Sequence, residues 1–458
     1  MWRSEDENGG ETMTKKEVLS IVNTNNIEMI RFVYIDNEGV IRSYISTAEA
    51  LEGDLDSGHP FAIAMPFFSV LDDLTPETRF GCVGEILGIP DLDSFRILPY
   101  VSDSAMMICD FVNKDDRSPS NLCSRTLLKN FLSTLGYEVK TAFENEFYFL
   151  KRDESGRLIP FDDSLCFATK GMNEQHDIVL DIIHALRNQG LTVEKYYPEY
   201  GRGQVEIVYR YDDALQSADN QVRFRETCRA VALKHGIVAS FMPKPFPHLA
   251  GSGAHMHFSL WQKGINLFYD PASEKGLSEF GRHFIGGILS HLKALCAFTA
   301  PTVNSYKRLL PHNWASAYIC WGYDNREAAV RVITGMKGSE EKSFNIEYKP
   351  ADAAGNPYLA ILAVLAAGMD GVNHRIEPGD AVAGDPHDLP DGEKRQRGIE
   401  RLPESLGEAA GALAADPFFT ELLNNVFIEE YLAMKRFAWT TYIQHVSGWE
   451  IEKYAETF

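Results

Sequence analysis

The chain has 458 residues, with 44 basic against 65 acidic side chains and a formal charge of −21, which disfavours nucleic acid and anionic membranes as partners. Its composition, 45% hydrophobic and 24% charged, is that of a soluble globular protein, and the length predicts about two to three domains. No apolar run reaches a membrane span, and the polar start "MWRSEDENGGETMTKKEV" lacks the apolar centre of a signal peptide, so a cytoplasmic location and no membrane contact are expected.

Residues 1–15 are expected to be a disordered lead. "KKEVLSIVNTNNIE" then has helical spacing, and "MIRFVYIDNEGVIRSYIST" alternates like two strands turning at Asn37, Glu38 and Gly39. "PDLDSFRILPY" and "SAMMICDFV" read as short strands, and "NKDDRSPSN" as a linker. Beyond it "SRTLLKNFLSTLG" predicts an amphipathic helix closed by Gly136, and "YEVKTAFENEFYFLK" a strand. Helices are expected around 174–190, 212–235, 278–298 and 356–373, and strands near 204–210, 254–260 and 327–333. Residues 378–398, rich in Gly, Pro and charge, read as a surface loop. The fold class is therefore α+β: a small N-terminal domain over 16–115 and a large domain over 116–458. The seven cysteines are scattered with no CxxC pair, which favours reduced thiols over a disulfide frame or a zinc site.

Side chains suited to metal and phosphate chemistry recur along this layout. Glu144 and Glu146 are two apart on a strand and leave the same face, while Phe143, Phe147 and Phe149 take the other. Glu199 and Glu206 bracket a turn containing Gly201 and Gly203, and Glu347 lies on a strand-like run. With His255, five glutamates and one imidazole suit Mg2+ or Mn2+ rather than zinc. Gly251, Ser252 and Gly253 allow backbone amides to approach an anion, with His255 and His257 following on one strand face. Arg308, Arg326 and Arg331 offer planar forks for phosphate or carboxylate among apolar neighbours.

The blocks "ENEFYFL", "GQVEI", "NSYKRLLP", "DNREAAVRV" and "GNPYLAILAVLAAGMDG" stand in a family's order. So does the pattern Lys244-Pro245-Phe246, Ala250-Gly251-Ser252-Gly253, His255 and Ser259. By these residues the chain resembles glutamine synthetases of the bacterial type-I class and their γ-glutamyl-amine ligase relatives, γ-glutamylanilide synthase among them. The resemblance implies a β-grasp-like N-terminal domain, a catalytic domain with a curved antiparallel sheet, and a dodecamer of two stacked rings with sites between neighbouring subunits. It implies ATP, L-glutamate and a small amine or ammonia as reaction partners, with more than one Mg2+ or Mn2+ ion per site. Glu146, Glu199 and Glu206 would hold one metal, and Glu144, His255 and Glu347 another. His257, Ser259 and Arg331 would contact the nucleotide, while Arg308 and Gly251 would hold glutamate. Asp36, Arg326 and Lys349 are implied in catalysis, Asp36 reaching the neighbouring subunit's site as a proton acceptor.

The departures bear on the amine. Where the family has a glutamate on a mobile flap stands Trp314, and where it usually has tyrosine in the ammonium pocket stands Cys166. Loss of a charge and gain of an indole predict an organic amine, an aromatic amine such as aniline first and a short alkylamine next. The alternatives are glutamine synthesis from ammonia, with Trp314 as packing, and a noncatalytic structural or sensory homologue. The family's Arg-x-Glu-x-Arg block reads Asn345-Ile346-Glu347-Tyr348-Lys349, Ala250 replaces an asparagine, and His387 stands where regulated enzymes carry the tyrosine that is adenylylated, so that control is not expected.

Overall fold

The computed structural model describes residues 12–458. Of the lead expected to be disordered, residues 1–11 lie outside the described residues, while Thr14 and Lys15 belong to a capped helix start. Thr14 accepts from the Glu17 amide and the Glu17 carboxylate reaches back to the Thr14 amide, which begins α1 (Lys15–Thr24). Strands β1 (Met29–Ile35) and β2 (Ile41–Thr47) pair antiparallel across the expected turn. After α2 (Leu51–Ser57), the strands β3 (His59–Ala62), β4 (Glu85–Pro90), β5 (Arg96–Ile97) and β6 (Ser104–Asn113) complete a six-stranded sheet. Its order is β2-β1-β6-β4-β3 with β5 beside β6, and β1 runs parallel to β6.

The two-residue period of β1 and β6 divides this sheet between two cores. Ile30, Phe32, Met107 and Cys109 pack with Val18 and Val22 of α1, whereas Val33, Ile35, Met106 and Ile108 turn into the main core. Residues 90–100 correct the expectation of a strand. The Asp91 carboxylate accepts the Asp93 amide and the Ser94 hydroxyl bonds the Asp91 carbonyl, so side chains close a 3-10 turn at Leu92–Ser94 and only the two residues of β5 pair.

In the large domain α3 (Ser124–Leu135) ends on Gly136 in the left-handed region, and the 15-residue β7 (Glu138–Arg152) follows as the spine of an eleven-stranded sheet. Short β8 (Leu158–Pro160), α4 (Thr169–Asn188), β9 (Val193–Pro198), β10 (Gln204–Tyr209), β11 (Asp212–Asp213), α5 (Ala214–Lys234) and β12 (Val238–Ser240) come next. Then follow β13 (Ala254–Gln262), β14 (Ile265–Asn266), α6 (Glu279–Thr299), β15 (Trp321–Tyr323), β16 (Val330–Ile333), α7 (Glu340–Ser343), β17 (Asn345–Tyr348) and α8 (Pro357–His374). The main path is β15-β16-β17-β13-β7-β10-β9, antiparallel except for β15 with β16. This antiparallel-rich sheet, with helices on its outer side and the smaller mixed sheet before it, is the expected α+β architecture.

The helix α8 is buried on nearly every side. Asn356 caps it by accepting the Tyr358 and Leu359 amides, and donates to the Asp36 carbonyl at 3.0 Å and the Ser124 hydroxyl at 2.9 Å. One side chain thus joins three segments of both domains. Asn356→Ala is expected to lower stability by about 2–4 kcal/mol, the lost cap plus buried partners left unpaired, as read by denaturant unfolding.

Residues 378–398 also depart from expectation, since they hold a 3-10 turn at Pro386–Asp388 and α9 (Asp391–Gln396) within the loop. Helices α10 (Leu406–Ala415), α11 (Pro417–Leu423), α12 (Asn425–Ile443) and α13 (Gly448–Tyr454), for which the sequence reading has no expectation, complete the chain. Among the described residues no helix is long and apolar enough to cross a membrane.

Candidate active site

Strand register gathers the acidic residues. On one face of the large sheet Glu206 of β10 lies opposite Glu146 of β7, His255 of β13 opposite Glu144, and His257 opposite Glu347 of β17. Arg331 of β16 in turn faces Glu347 and donates to it at 3.1 Å. Phe143, Phe147 and Phe149 of β7 are buried in the core on the reverse face, so core packing orients the glutamates.

Within this row His255 is central. Its Nδ1 lies 3.3 Å from Glu347 and 3.9 Å from Glu144, and its Nε2 lies 4.0 Å from Glu146. Glu144, His257 and Glu347 offer donor atoms within 4.8 Å of one another, which brings His257, expected only at the nucleotide, among the candidate metal ligands. His257 is held at Nδ1 by the Asn345 amide oxygen at 2.8 Å, while its Nε2 lies 3.4 Å from Glu144. Asn345 thus orients the His257 ring.

Electrostatics divide the cluster in two. Burial would raise the Glu144 carboxyl, but the neighbouring His257 and His255 outweigh it and hold it well below the usual range. Burial is likewise overcome at Glu347, held down to about 2 by Lys349, His257 and His255. On the other side burial and the charges of Glu146 and Glu144 push Glu206 up to about 9, although the Tyr197 hydroxyl donates to it. Burial and Glu146 push Glu199 up to about 7. This half of the site is short of positive charge, and its oxygen donors fit a divalent cation that would supply it.

The glycine turn is shaped by its neighbours. The Gly253 amide donates to Glu146 at 2.8 Å, and Gln204, unmarked in the sequence reading, donates to the Gly251 carbonyl at 2.9 Å. A Cβ at Gly251 would lie 2.4 Å from Arg308 Cγ, and one at Gly253 2.6 Å from His255 Nε2 and 3.1 Å from Arg308 Nη1. Gly253→Ala is therefore expected to cost at least about tenfold in glutamate-dependent phosphate release with little change in thermal midpoint, because movable side-chain ends take up the clash.

Arg308 is buried behind this turn, with Nη2 donating to the Ala351 carbonyl at 2.9 Å. Lys349, also buried, lies 3.4 Å from Glu347. Ser259, farther along β13, accepts the Trp261 indole N–H at 2.9 Å. Asp36 is fully buried within its own chain, Oδ1 accepting the Val40 and Glu38 amides and Oδ2 the Arg42 guanidinium at 2.7 Å. Burial raises its carboxyl to about 6 against the pull of Arg42. It organises a turn within its own chain.

The rim of the site is aromatic. Trp314, 59% exposed with φ +51°, donates its amide to Glu327 at 2.9 Å. The indole centre lies 6.4 Å from the Tyr200 ring and 6.0 Å from the exposed Arg326 guanidinium. Tyr200 adjoins Glu199, whose charge Arg326 offsets, so the indole stands beside the half of the cluster that is short of positive charge. The Phe167 ring lies tilted against that of Tyr197, ring centres 4.8 Å apart, and its amide donates to the Pro198 carbonyl, which brings Cys166 to the same rim. Burial and the Glu199 charge raise the Cys166 thiol.

Comparison with known proteins identifies the family. Residues 117–454 match the model of the glutamine synthetase catalytic domain, and residues 13–119 that of the glutamine synthetase N-terminal domain. A glutamine synthetase of Methanocaldococcus jannaschii is 36% identical over 97% of this chain and 99% of its own, and one of Pyrococcus furiosus 36% identical over 93% and 96%. The solved structure of GmaS with ADP has a TM-score of 0.84 at 30% identity, covering 96% of this chain and 99% of that one. A structure described as a novel glutamine synthase homolog has a TM-score of 0.82 at 32% identity, covering 94% and 99%. With both domain models matched nearly end to end, the chain belongs to the glutamine synthetase family of ATP-dependent, amide-forming ligases.

Proposed function

We propose that this enzyme joins the γ-carboxylate of L-glutamate to an organic amine, an aromatic amine such as aniline ahead of a short alkylamine, through a γ-glutamyl phosphate. The observation that carries this reading is the bracket of Trp314, Tyr200 and Arg326 at the rim beside Glu199. An indole offers an apolar, π-rich wall and no charge to hold ammonium.

A carboxylate is a poor acyl donor at neutral pH, so ATP first transfers its γ-phosphoryl group to glutamate's side chain. Glu144, His255, His257 and Glu347 would hold one Mg2+ or Mn2+ and Glu146, Glu199 and Glu206 another, and bound metal would neutralise charge on the moving phosphoryl group. Arg326, exposed at the rim, adds a guanidinium toward the same charge, and Arg331 with Lys349 steadies Glu347. The turn at 251–253 with Arg308 positions glutamate. The amine nitrogen then attacks the acyl carbon, the C–O bond to phosphate breaks, and the departing phosphate takes the proton that the nitrogen sheds. That path needs no Asp36. Ring assembly, with sites completed between subunits, and a cytoplasmic setting complete the proposal.

A second reading, glutamine synthesis from ammonia, is favoured by the name of the curated relatives, glutamine synthetase. Glutamate- and ATP-dependent phosphate release with Mg2+, compared across ammonium, isopropylamine, ethanolamine, putrescine and aniline with mass detection of the amide, separates the two. Turnover with aniline or an alkylamine well above ammonium is expected; turnover with ammonium alone would return the enzyme to glutamine synthesis.

A further inference from the structure

Gln204, the first residue of β10, joins two turns of the site. It is only 1% exposed, and its side-chain amide meets groups from the turn before it, from the glycine turn and from β7. Its Oε1 accepts the Gly201 amide at 2.8 Å. Its Nε2 donates to the Gly251 carbonyl at 2.9 Å and the Ser252 hydroxyl at 3.2 Å, with Glu146 Oε2 3.5 Å away. The main chain of Gln204 closes the same preceding turn, its amide donating to the Gly201 carbonyl at 2.9 Å and its carbonyl accepting the Glu199 amide at 2.8 Å. A turn fixed by both main chain and side chain is a firm footing for whatever the side chain holds.

These contacts call for an amide. A backbone N–H faces its oxygen, and a carbonyl, a hydroxyl and a carboxylate face its NH2 group. A carboxylate at 204 would set oxygen against the Gly251 carbonyl and Glu146, and an apolar side chain would leave the Gly201 amide and the Gly251 carbonyl without this partner. Tyr148 of β7, fully buried, holds the carbonyl one residue earlier, its hydroxyl donating to Ala250 at 2.7 Å. The two side chains stand close together at Gly201, where a Cβ would lie 1.9 Å from the Tyr148 hydroxyl and 2.8 Å from Gln204 Oε1. A trans peptide keeps its N–H opposite its carbonyl, so fixing the Ala250 and Gly251 carbonyls also fixes the directions of the Gly251 and Ser252 amides.

We propose that Gln204 is a positioning residue for glutamate: together with Tyr148 it sets the peptide planes of the glycine turn against the 199–204 turn, so that this turn and Arg308 meet the substrate in a single arrangement. The proposal rests on the reading that the turn at 251–253 and Arg308 hold glutamate. Gln204 itself acts through the backbone it holds, and the same footing carries Glu199 and Tyr200, so the glutamate turn is built in register with the rim.

Titration calorimetry of the full chain with L-glutamate, in the presence of Mg2+ and ADP, tests this alongside the KM values for glutamate and ATP in phosphate release. Gln204→Met keeps the length of the side chain and removes its donors and acceptor; it is expected to weaken glutamate by at least about tenfold and to raise its KM in step, while the KM for ATP changes by less than about threefold. Tyr148→Phe loses one hydroxyl and keeps the buried ring; it is expected to weaken glutamate by about three- to tenfold, and covers the case in which Gln204→Met does not fold. Arg308→Lys, expected to weaken glutamate by at least about tenfold, checks the reading underneath. Unchanged glutamate affinity in Gln204→Met and Tyr148→Phe, with a loss in Arg308→Lys, overturns the proposal and leaves that reading standing. Unchanged affinity in all three overturns both. Equal rises in KM for glutamate and ATP overturn the proposal in favour of a general structural role for Gln204.

Discussion

Replacing Glu347 with glutamine is expected to lower ATP- and glutamate-dependent phosphate release by about 10²–10³-fold, the usual scale for removing one charge from a site that stabilises a transferring group. The residue is nearly inaccessible and stands where four positive or potentially positive groups meet: Arg331 at 3.1 Å, Lys349 at 3.4 Å, His255 at 3.3 Å, and His257 opposite it across the strands. An isosteric amide keeps the shape and removes the charge. Arg331 and Lys349 then face each other without their shared acid, and a further loss of about 3 kcal/mol in stability is expected from that broken buried pairing. The two effects are separable by measuring activity well below the thermal midpoint of the variant. Full activity with lowered stability would make Glu347 an ion-pair partner alone; loss of activity in a folded variant, with weakened Mg2+ or Mn2+ affinity by calorimetry, is the expected result.

The second large effect is on selectivity. Trp314→Ala is expected to reduce kcat/KM for the preferred organic amine by about 10–10²-fold while changing that for ammonium by less than about threefold, since an apolar wall is worth about 1–3 kcal/mol to a ligand that fills it. Trp314→Glu is expected to go further and raise ammonium turnover, because it sets a carboxylate beside a site already crowded by Glu199. The loop itself should survive both changes. Its left-handed residue 314 is held through the backbone amide by Glu327, and the loop is tied two residues earlier by the His312–Asp385 contact at 2.8 Å. Equal losses for ammonium and the organic amine would mean that the indole only anchors the loop.

Strand β7 and its neighbours illustrate what was legible in advance. Alternation along "FENEFYFL" placed two glutamates on one face, and that arrangement is present in the sheet. Helices with a cap signal, such as the one closed by Gly136, fell where expected. The misreadings have local causes of another kind: residues 90–100 look like a strand by hydropathy, but Asp91 and Ser94 bond the backbone into a turn. The enclosure of Asp36 by Arg42 and its own turn was not legible either, because a short motif says nothing of burial.

The sequence by itself determined the family and marked the acidic residues and His255 as candidates for metal, because both readings rest on residue identity and short-range period. Only the tertiary structure decided which of these groups meet. Glu206 opposite Glu146, and His257 opposite Glu347, are matters of register between strands far apart in the chain, which no local pattern encodes. Register set His255 between the two carboxylate groups, joined His257 to the ligands through Asn345, and divided the cluster into a half rich in positive charge and a half that lacks it.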